Sequence, residues 1–408
     1  MEKYFVRGGR PLSGDIECGG SKNASLPVIF ATLICPGVTY LRGLPDIRDV
    51  RVALEILSVF GAEVEREGDT CRIDTGDLHY SAPPPELLSS FRASTYLIGS
   101  SVPRFGRCPI GNFGGCNFSA RPIDMHIAAA RAFGAEMRGD TLVTSRLHPA
   151  SVTFANKSVG ATVNALLLAA ATEGESRIEN PATEPHIIFL VSFLRSAGAD
   201  IEISGNSFTV RGGHLRGTSA RVIPDMIEAG TYIIAGLVTG GRVRVRGVPP
   251  RELSALTSFL SSMGASVSSS DAAVSAVAAS RLDYAEVTTA PYPGYPTDMQ
   301  PQTAVLLAKN SGGKITDTVF PERFGYLSEL AKFGIASARF SDGAVIYPSE
   351  IKNSGAKVCD LRAGAACLLA ALAAEGESVI SDDGMLTRGY SSLVSKLRSL
   401  GADIDLLA

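Results

Sequence analysis

One phrase recurs six times along the 408-residue chain: a short helical run, then Gly-Ala or a near variant, then a strand. The copies are centred on Phe60-Gly61-Ala62-Glu63, Phe133-Gly134-Ala135-Glu136, Ala197-Gly198-Ala199-Asp200, Met263-Gly264-Ala265-Ser266, Phe333-Gly334-Ile335-Ala336 and Leu400-Gly401-Ala402-Asp403. In each copy the glycine sits where a helix C-cap needs left-handed backbone. The apolar residue after it opens a strand. A polar turn such as Glu67-Gly68-Asp69-Thr70 or Ser341-Asp342-Gly343 then returns the chain in a second strand. The spacing of roughly 60–70 residues suits a compact α+β unit and is too long for a solenoid.

A second phrase runs in register with the first. Thr172-Glu173-Gly174-Glu175-Ser176 matches Ala374-Glu375-Gly376-Glu377-Ser378, and Val238-Thr239-Gly240-Gly241-Arg242 is a looser copy. Each follows an Ala/Leu-rich run, 161–171, 229–237 or 363–373, that is apolar on most sides and predicts a buried helix. Six units divide into two halves of three, with boundaries near Gly20 and near Pro224-Asp225. The expected class is α/β, built from repeated α+β units.

Composition excludes several functions. The chain is 45% hydrophobic and 19% charged with a net charge of −3, and no block of like charge breaks it up. That argues against a nucleic-acid or membrane-surface partner. No apolar stretch is long enough to span a bilayer, and the first residues lack the apolar run of a signal peptide. The seven cysteines are odd in number and contain no C-x-x-C pair, which predicts reduced thiols in the cytoplasm and no zinc site.

Two stretches carry chemistry. Gly114-Gly115-Cys116 leads into Arg121-Pro122-Ile123-Asp124-Met125-His126. The glycine pair predicts a sharp, mobile turn. A guanidinium near the thiol favours its thiolate, so Cys116 is a candidate reactive, tunable acid. The alternative is a surface turn with an incidental cysteine. Gly19-Gly20-Ser21-Lys22-Asn23 delivers a lysine to the start of a helix expected over 24–33, a recognised anion-binding arrangement. The P-loop spacing is absent.

With these stretches and the repeat, the chain resembles the enolpyruvyl transferases, and among them those acting on UDP-N-acetylglucosamine. Further matches run in order over essentially the whole length. They include Pro45-Asp46-Ile47-Arg48-Asp49-Val50, Phe91-Arg92-Ala93-Ser94, Ser158-Val159-Gly160-Ala161-Thr162 and Ile227-Glu228-Ala229-Gly230-Thr231. Tyr295-Pro296-Thr297-Asp298-Met299-Gln300, Glu322-Arg323-Phe324, Asp360-Leu361-Arg362-Ala363 and Arg388-Gly389-Tyr390 complete the set.

The resemblance implies two inside-out α/β barrel domains of three units each, residues 21–224 and residues 1–20 plus 225–408, with the active site in the cleft between them. It implies transfer of the carboxyvinyl group of phosphoenolpyruvate to a sugar hydroxyl by addition and elimination, with no cofactor and no metal. Cys116, Asp298, Lys22 and Arg388 are then the expected catalytic residues. Cys116 protonates the methylene carbon from a lid loop. Asp298 serves as base or orients the hydroxyl, and its apolar neighbours predict a raised pKa; the alternative is capping of a helix expected at 302–307. Lys22, Arg92, Arg121, Arg323, Asp360, Arg362 and Arg388 would hold phosphoenolpyruvate. Asp360 would orient Arg362 or shuttle a proton. Asn23, Arg121, Pro122, Ile123, Asp124, Met125, Ser158, Val159, Gly160, Asp298 and Val319 would hold a uridine nucleotide. His126 is expected to be structural.

Some positions depart from the pattern. Lys157 directly precedes Ser158, displaced by one residue. Met226 stands where arginine is usual, Glu322 replaces an asparagine, and Met385-Leu386-Thr387 lacks a His-x-Asp. These changes lie around the acceptor, which leaves two acceptors open: UDP-N-acetylglucosamine, or a nucleoside 5′-monophosphate such as UMP, as in nucleoside-antibiotic pathways. A catalytically silent nucleotide-binding regulator is the reading from a different class.

Overall fold

The computed structural model describes residues 1–111, 113–114, 122–278 and 280–407. The chain forms two compact units, one of Gly20–Ile223 and one of Met1–Gly19 with Pro224–Ala408. All six glycines of the repeated phrase have positive φ, from 81° at Gly334 to 125° at Gly198. Each ends a helix where a side chain would be strained.

Among its described residues, the unit of residues 20–223 carries three sheets. One orders Ser219–Arg221, Val38–Arg42, Thr70–Asp74 and Glu63–Glu67; one orders Asp200–Ser204, Ser207–Gly212, Gly174–Glu179 and Ser151–Thr153; the third orders Arg107–Pro109, Thr141–Val143 and Glu136–Arg138. Within a repeat, an edge strand runs parallel to the next strand and a hairpin closes the sheet antiparallel, as Ser151–Thr153, Gly174–Glu179 and the 200–212 hairpin do. The edge strand Ser219–Arg221 pairs with Val38–Arg42 in parallel, so the end of this unit completes its first repeat.

The other unit has the same plan, closed by the N-terminus. Glu2–Gly8 lies antiparallel between Gly376–Asp382 and Asp403–Leu407, and Ser13–Glu17 runs parallel to Arg242–Arg246.

Helices fill the interiors. Val159–Ala171, Met226–Val238 and Leu361–Ala373 are buried almost throughout, as their all-round apolar sequences require. Lys22–Ala31, Leu97–Phe105 and Gln300–Lys309 complete two sets of three. The first of these begins two residues earlier than its sequence predicts and continues as a 3-10 turn, Thr32–Ile34. Amphipathic helices such as Arg48–Val59 and Pro185–Ala197 keep one face exposed.

Four of the six central helices named above begin at polar N-caps. Ser21 accepts from the Ala24 N–H, Ser158 from Ala161, Asp225 from Ile227 and Glu228, and Asp360 from Arg362 and Ala363. Each cap satisfies one or two first-turn N–H groups, and the positive helix end remains favourable for an anion. Among the described residues, no helix is long and apolar enough to cross a membrane.

Candidate functional site

Within each unit, several of the expected site residues lie at or near the starts of central helices. In the 20–223 unit, Lys22 opens its helix, and its Nζ lies 2.6 Å from Asp49 Oδ2. The lysine side chain is 14% exposed and the aspartate 4%, so the ammonium is held by a buried anion. Asp49 sits in the first turn of Arg48–Val59, where the helix end favours its negative charge. Asn23 follows, half-buried.

Arg92 opens the 3-10 turn Arg92–Tyr96 and donates from Nη2 to the Pro122 carbonyl at 3.3 Å. A residue expected to hold phosphoenolpyruvate thus touches the segment expected to frame the nucleotide. Pro122 and Asp124 are exposed, and Ile123 and Met125 half-buried, at the start of Asp124–Ala132. Cys116 and Arg121 lie outside the described residues.

That segment is fixed by a buried amide. Asn164 Oδ1 accepts from the Gly99 N–H at 2.8 Å, which leaves its Nδ2 to donate to the Thr95 carbonyl at 3.1 Å and to His126 Nδ1 at 2.7 Å. His126 therefore accepts at Nδ1 and carries its proton on Nε2. Its ring packs on Gly160, where an added Cβ would stand 2.6 Å from Cε1. Asn164 thereby joins the Pro122–Met125 segment to the Ser158-Val159-Gly160 turn. Sequence reasoning missed Asn164, which reads as one polar residue in an apolar helix; that oddity was its signal.

The Ser158 hydroxyl is engaged as a cap, so an anion at this helix start would meet backbone N–H groups of Val159 and Gly160. Gly114 is needed for close approach: an added Cβ would lie 1.7 Å from the Ser89 carbonyl oxygen. Its N–H donates to the Leu88 carbonyl, which ties the backbone down at Gly114.

In the other unit a carboxylate sits between two guanidiniums. Asp298 Oδ1 lies 2.7 Å from Arg323 Nη1, and Oδ2 lies 3.0 Å from Arg362 Nη2 and 3.2 Å from its Nε. The arginines are 4% and 3% exposed, and Asp298 is 30% exposed. Burial alone would raise the Asp298 carboxyl, but Arg362 and Arg323 outweigh it and hold the group well below the usual carboxylate range. The expected upward shift is therefore reversed: the apolar neighbours were visible in the sequence, and the two cations were not. Asp298 also does not cap the following helix, Gln300–Lys309, whose cap position is Met299 without a side-chain bond.

Arg362 lies over the Tyr390 ring, 5.5 Å from its centroid, and the Tyr390 hydroxyl is 3.0 Å from Thr231 Oγ1. Asp360 spends Oδ1 on capping Leu361–Ala373, which fixes the backbone that carries Arg362. Arg388 is buried on the turn Leu386–Arg388, 3.8 Å from Met385 Sδ. Val319 donates its N–H to Asp317, so that N–H is not left for a ligand. Among the described residues, no cluster of three or more His, Cys, Asp or Glu could hold a metal, and six cysteines form no disulfide.

Such an arrangement supplies helix-end and guanidinium sites for anions, with one carboxylate among them. Residues 6–397 match the family model described as EPSP synthase (3-phosphoshikimate 1-carboxyvinyltransferase). UDP-N-acetylglucosamine 1-carboxyvinyltransferase 3 of Caldanaerobacter subterraneus subsp. tengcongensis is 40% identical, covering 99% of each chain. UDP-N-acetylglucosamine 1-carboxyvinyltransferase 2 of Streptococcus pneumoniae is 38% identical over all of both chains. Among solved structures, the enolpyruvyl transferase NikO from Streptomyces tendae superposes with a TM-score of 0.90 at 28% identity, over 99% of this chain and 98% of that one. The EPSP synthase of Acinetobacter baumannii, at 18% identity and a TM-score of 0.75 over both whole chains, shares the fold. The chain belongs to the EPSP synthase family and is an enolpyruvyl transferase.

Proposed function

We propose that the protein transfers the carboxyvinyl group of phosphoenolpyruvate to a sugar hydroxyl of UDP-N-acetylglucosamine and releases phosphate. The observation that carries this reading is the 40% identity, over 99% of both chains, to a transferase named for that acceptor.

In the addition step the hydroxyl oxygen bonds to the central carbon of the enol, the methylene carbon gains a proton, and a tetrahedral ketal forms. In the elimination step the carbon–oxygen bond to phosphate breaks and the new methyl group loses a proton. Cys116 gives the methylene its proton, and Asp298 takes the proton of the attacking hydroxyl. Lys22, Arg92, Arg121, Arg323, Arg362 and Arg388 hold the phosphate and carboxylate as charge shifts. Asp298 is a weak base while both arginines neutralise it. When the anionic donor claims part of those guanidiniums, the carboxylate loses cation and gains basicity. The base is thus strengthened when the donor is bound.

The nucleotide lies on Asn23, the Arg121–Met125 segment, the Ser158–Gly160 turn, Asp298 and Val319, and the reaction runs in the cytoplasm. A second reading, UMP as acceptor, is favoured by the likeness to NikO and by the departures at Lys157, Met226, Glu322 and Met385–Thr387. Shikimate 3-phosphate is disfavoured because the enzymes that use it lack the cysteine loop.

Phosphate release from phosphoenolpyruvate, measured with each acceptor and paired with product mass, decides. Turnover with UDP-N-acetylglucosamine alone supports the first reading. Turnover with UMP alone overturns it and makes the four departures the specificity determinants. No turnover with either overturns both.

A further inference from the structure

Behind the Asp298 pair stands a second carboxylate that the reaction scheme does not use. Asp317 ends the strand Gly313–Asp317 and is fully buried. Five donors converge on it. Oδ1 accepts from Thr289 Oγ1 at 2.6 Å and from the N–H groups of Val319 at 2.9 Å and Phe320 at 2.8 Å. Oδ2 accepts from Thr297 Oγ1 at 2.6 Å and from Gln300 Nε2 at 3.3 Å.

The bond to Thr297 has a direction that matters. The hydroxyl has one hydrogen, and Asp317 takes it, so the threonine oxygen presents a lone pair on its other side. Arg323 Nη1 donates into that oxygen at 3.3 Å while also donating to Asp298 Oδ1 at 2.7 Å. A buried anion therefore orients a hydroxyl, the hydroxyl orients a guanidinium, and the guanidinium holds Asp298. The same anion fixes the backbone of Val319.

We propose that Asp317 is a positioning residue of the transfer reaction, aiming Arg323 at Asp298 through the Thr297 hydroxyl. This rests on the reading above, in which Arg323 and Asp298 meet the reacting groups. Buried charge-assisted hydrogen bonds are strong and directional, which suits a group that must keep a guanidinium in place when substrate enters. The backbone and Thr289 donors all meet Oδ1, so Oδ2 relies on Thr297 at 2.6 Å and Gln300 at 3.3 Å, and the shorter of these two bonds is the one that also sets the hydroxyl facing Arg323.

Thr297→Val breaks the relay while leaving Asp317 four donors. Thr239→Val is the control, because it removes a hydroxyl that accepts from the Leu12 N–H in the same unit, outside the relay. Both are compared with wild type for melting temperature, kcat/KM for phosphoenolpyruvate, and the pH dependence of that parameter. Thr297→Val is expected to lower kcat/KM at least tenfold. It should also move the acid limb to higher pH, because a loosened Arg323 no longer suppresses protonation of Asp298. Thr239→Val should keep the wild-type limb and a kcat/KM within twofold. A Thr297→Val enzyme with an unmoved acid limb, or with no more loss than the control at equal melting temperature, overturns the proposal. A wild-type enzyme silent with every acceptor overturns the underlying reading instead, and this inference with it.

Discussion

The carboxylate of Asp298 faces the guanidinium of Arg362 side-on, with Oδ2 3.0 Å from Nη2 and 3.2 Å from Nε. Arg323 takes the other oxygen. The carboxyl is held low, so its stabilising share is fully present above its unfolded value of about 4 and is lost as pH falls through its depressed folded value. Asp298→Asn should be less stable than wild type at pH 7, and the gap should narrow below about pH 4. Urea unfolding from pH 3 to 8 measures this. Turnover by the same variant should fall by about 10²–10⁴.

Lys22 depends on Asp49 in a similar way. Removing one partner of a buried ion pair leaves the other charge uncompensated, at a cost of about 3 kcal/mol. Asp49→Asn should lose about that much stability. It should also raise KM for phosphoenolpyruvate about tenfold, since an unanchored lysine must be ordered by the ligand. Steady-state kinetics and a denaturant titration read the two effects separately.

Gly160→Ala tests the packing of His126. The added methyl meets the ring at 2.6 Å, and the ring is tied to Asn164 and cannot simply withdraw. The His126 segment should shift outward, and KM for the nucleotide should rise about tenfold with kcat less affected, about 1.4 kcal/mol of binding. An unchanged nucleotide KM would show that the segment does not frame the acceptor.

Glu228 and Lys396 form a third buried pair, 2.7 Å apart, and Glu228 also accepts from the Gly19 N–H at 2.7 Å. Burial raises the Glu228 carboxyl, and Lys396 opposes that rise. Glu228→Gln and Lys396→Met should each destabilise by about 3 kcal/mol, and the double variant by less than the sum. Additive losses in a double-mutant cycle would mean the pair is not coupled.

The repeat was legible because its signals are local. A left-handed glycine at Gly61 or Gly401 is demanded by one helix end, and an all-apolar run such as 363–373 declares its burial without reference to any partner. The candidate site residues could be named only through ordered motifs spread over the chain, since each arginine alone could be a surface charge. Asn164 and Asp317 were not legible as positioning groups. Their partners lie on other strands and turns, as Thr289 and Thr297 do for Asp317.

By itself the sequence determined the six-unit architecture, the helices that had to be buried and the candidate cations, because periodicity, capping and residue type act over a few neighbouring residues. Only the tertiary structure decided the charge state of Asp298, the pairing of Lys22 with Asp49 and the tautomer of His126. Those properties are set by which distant groups come within about 3 Å in a low-dielectric interior, where one nearby guanidinium outweighs any local preference.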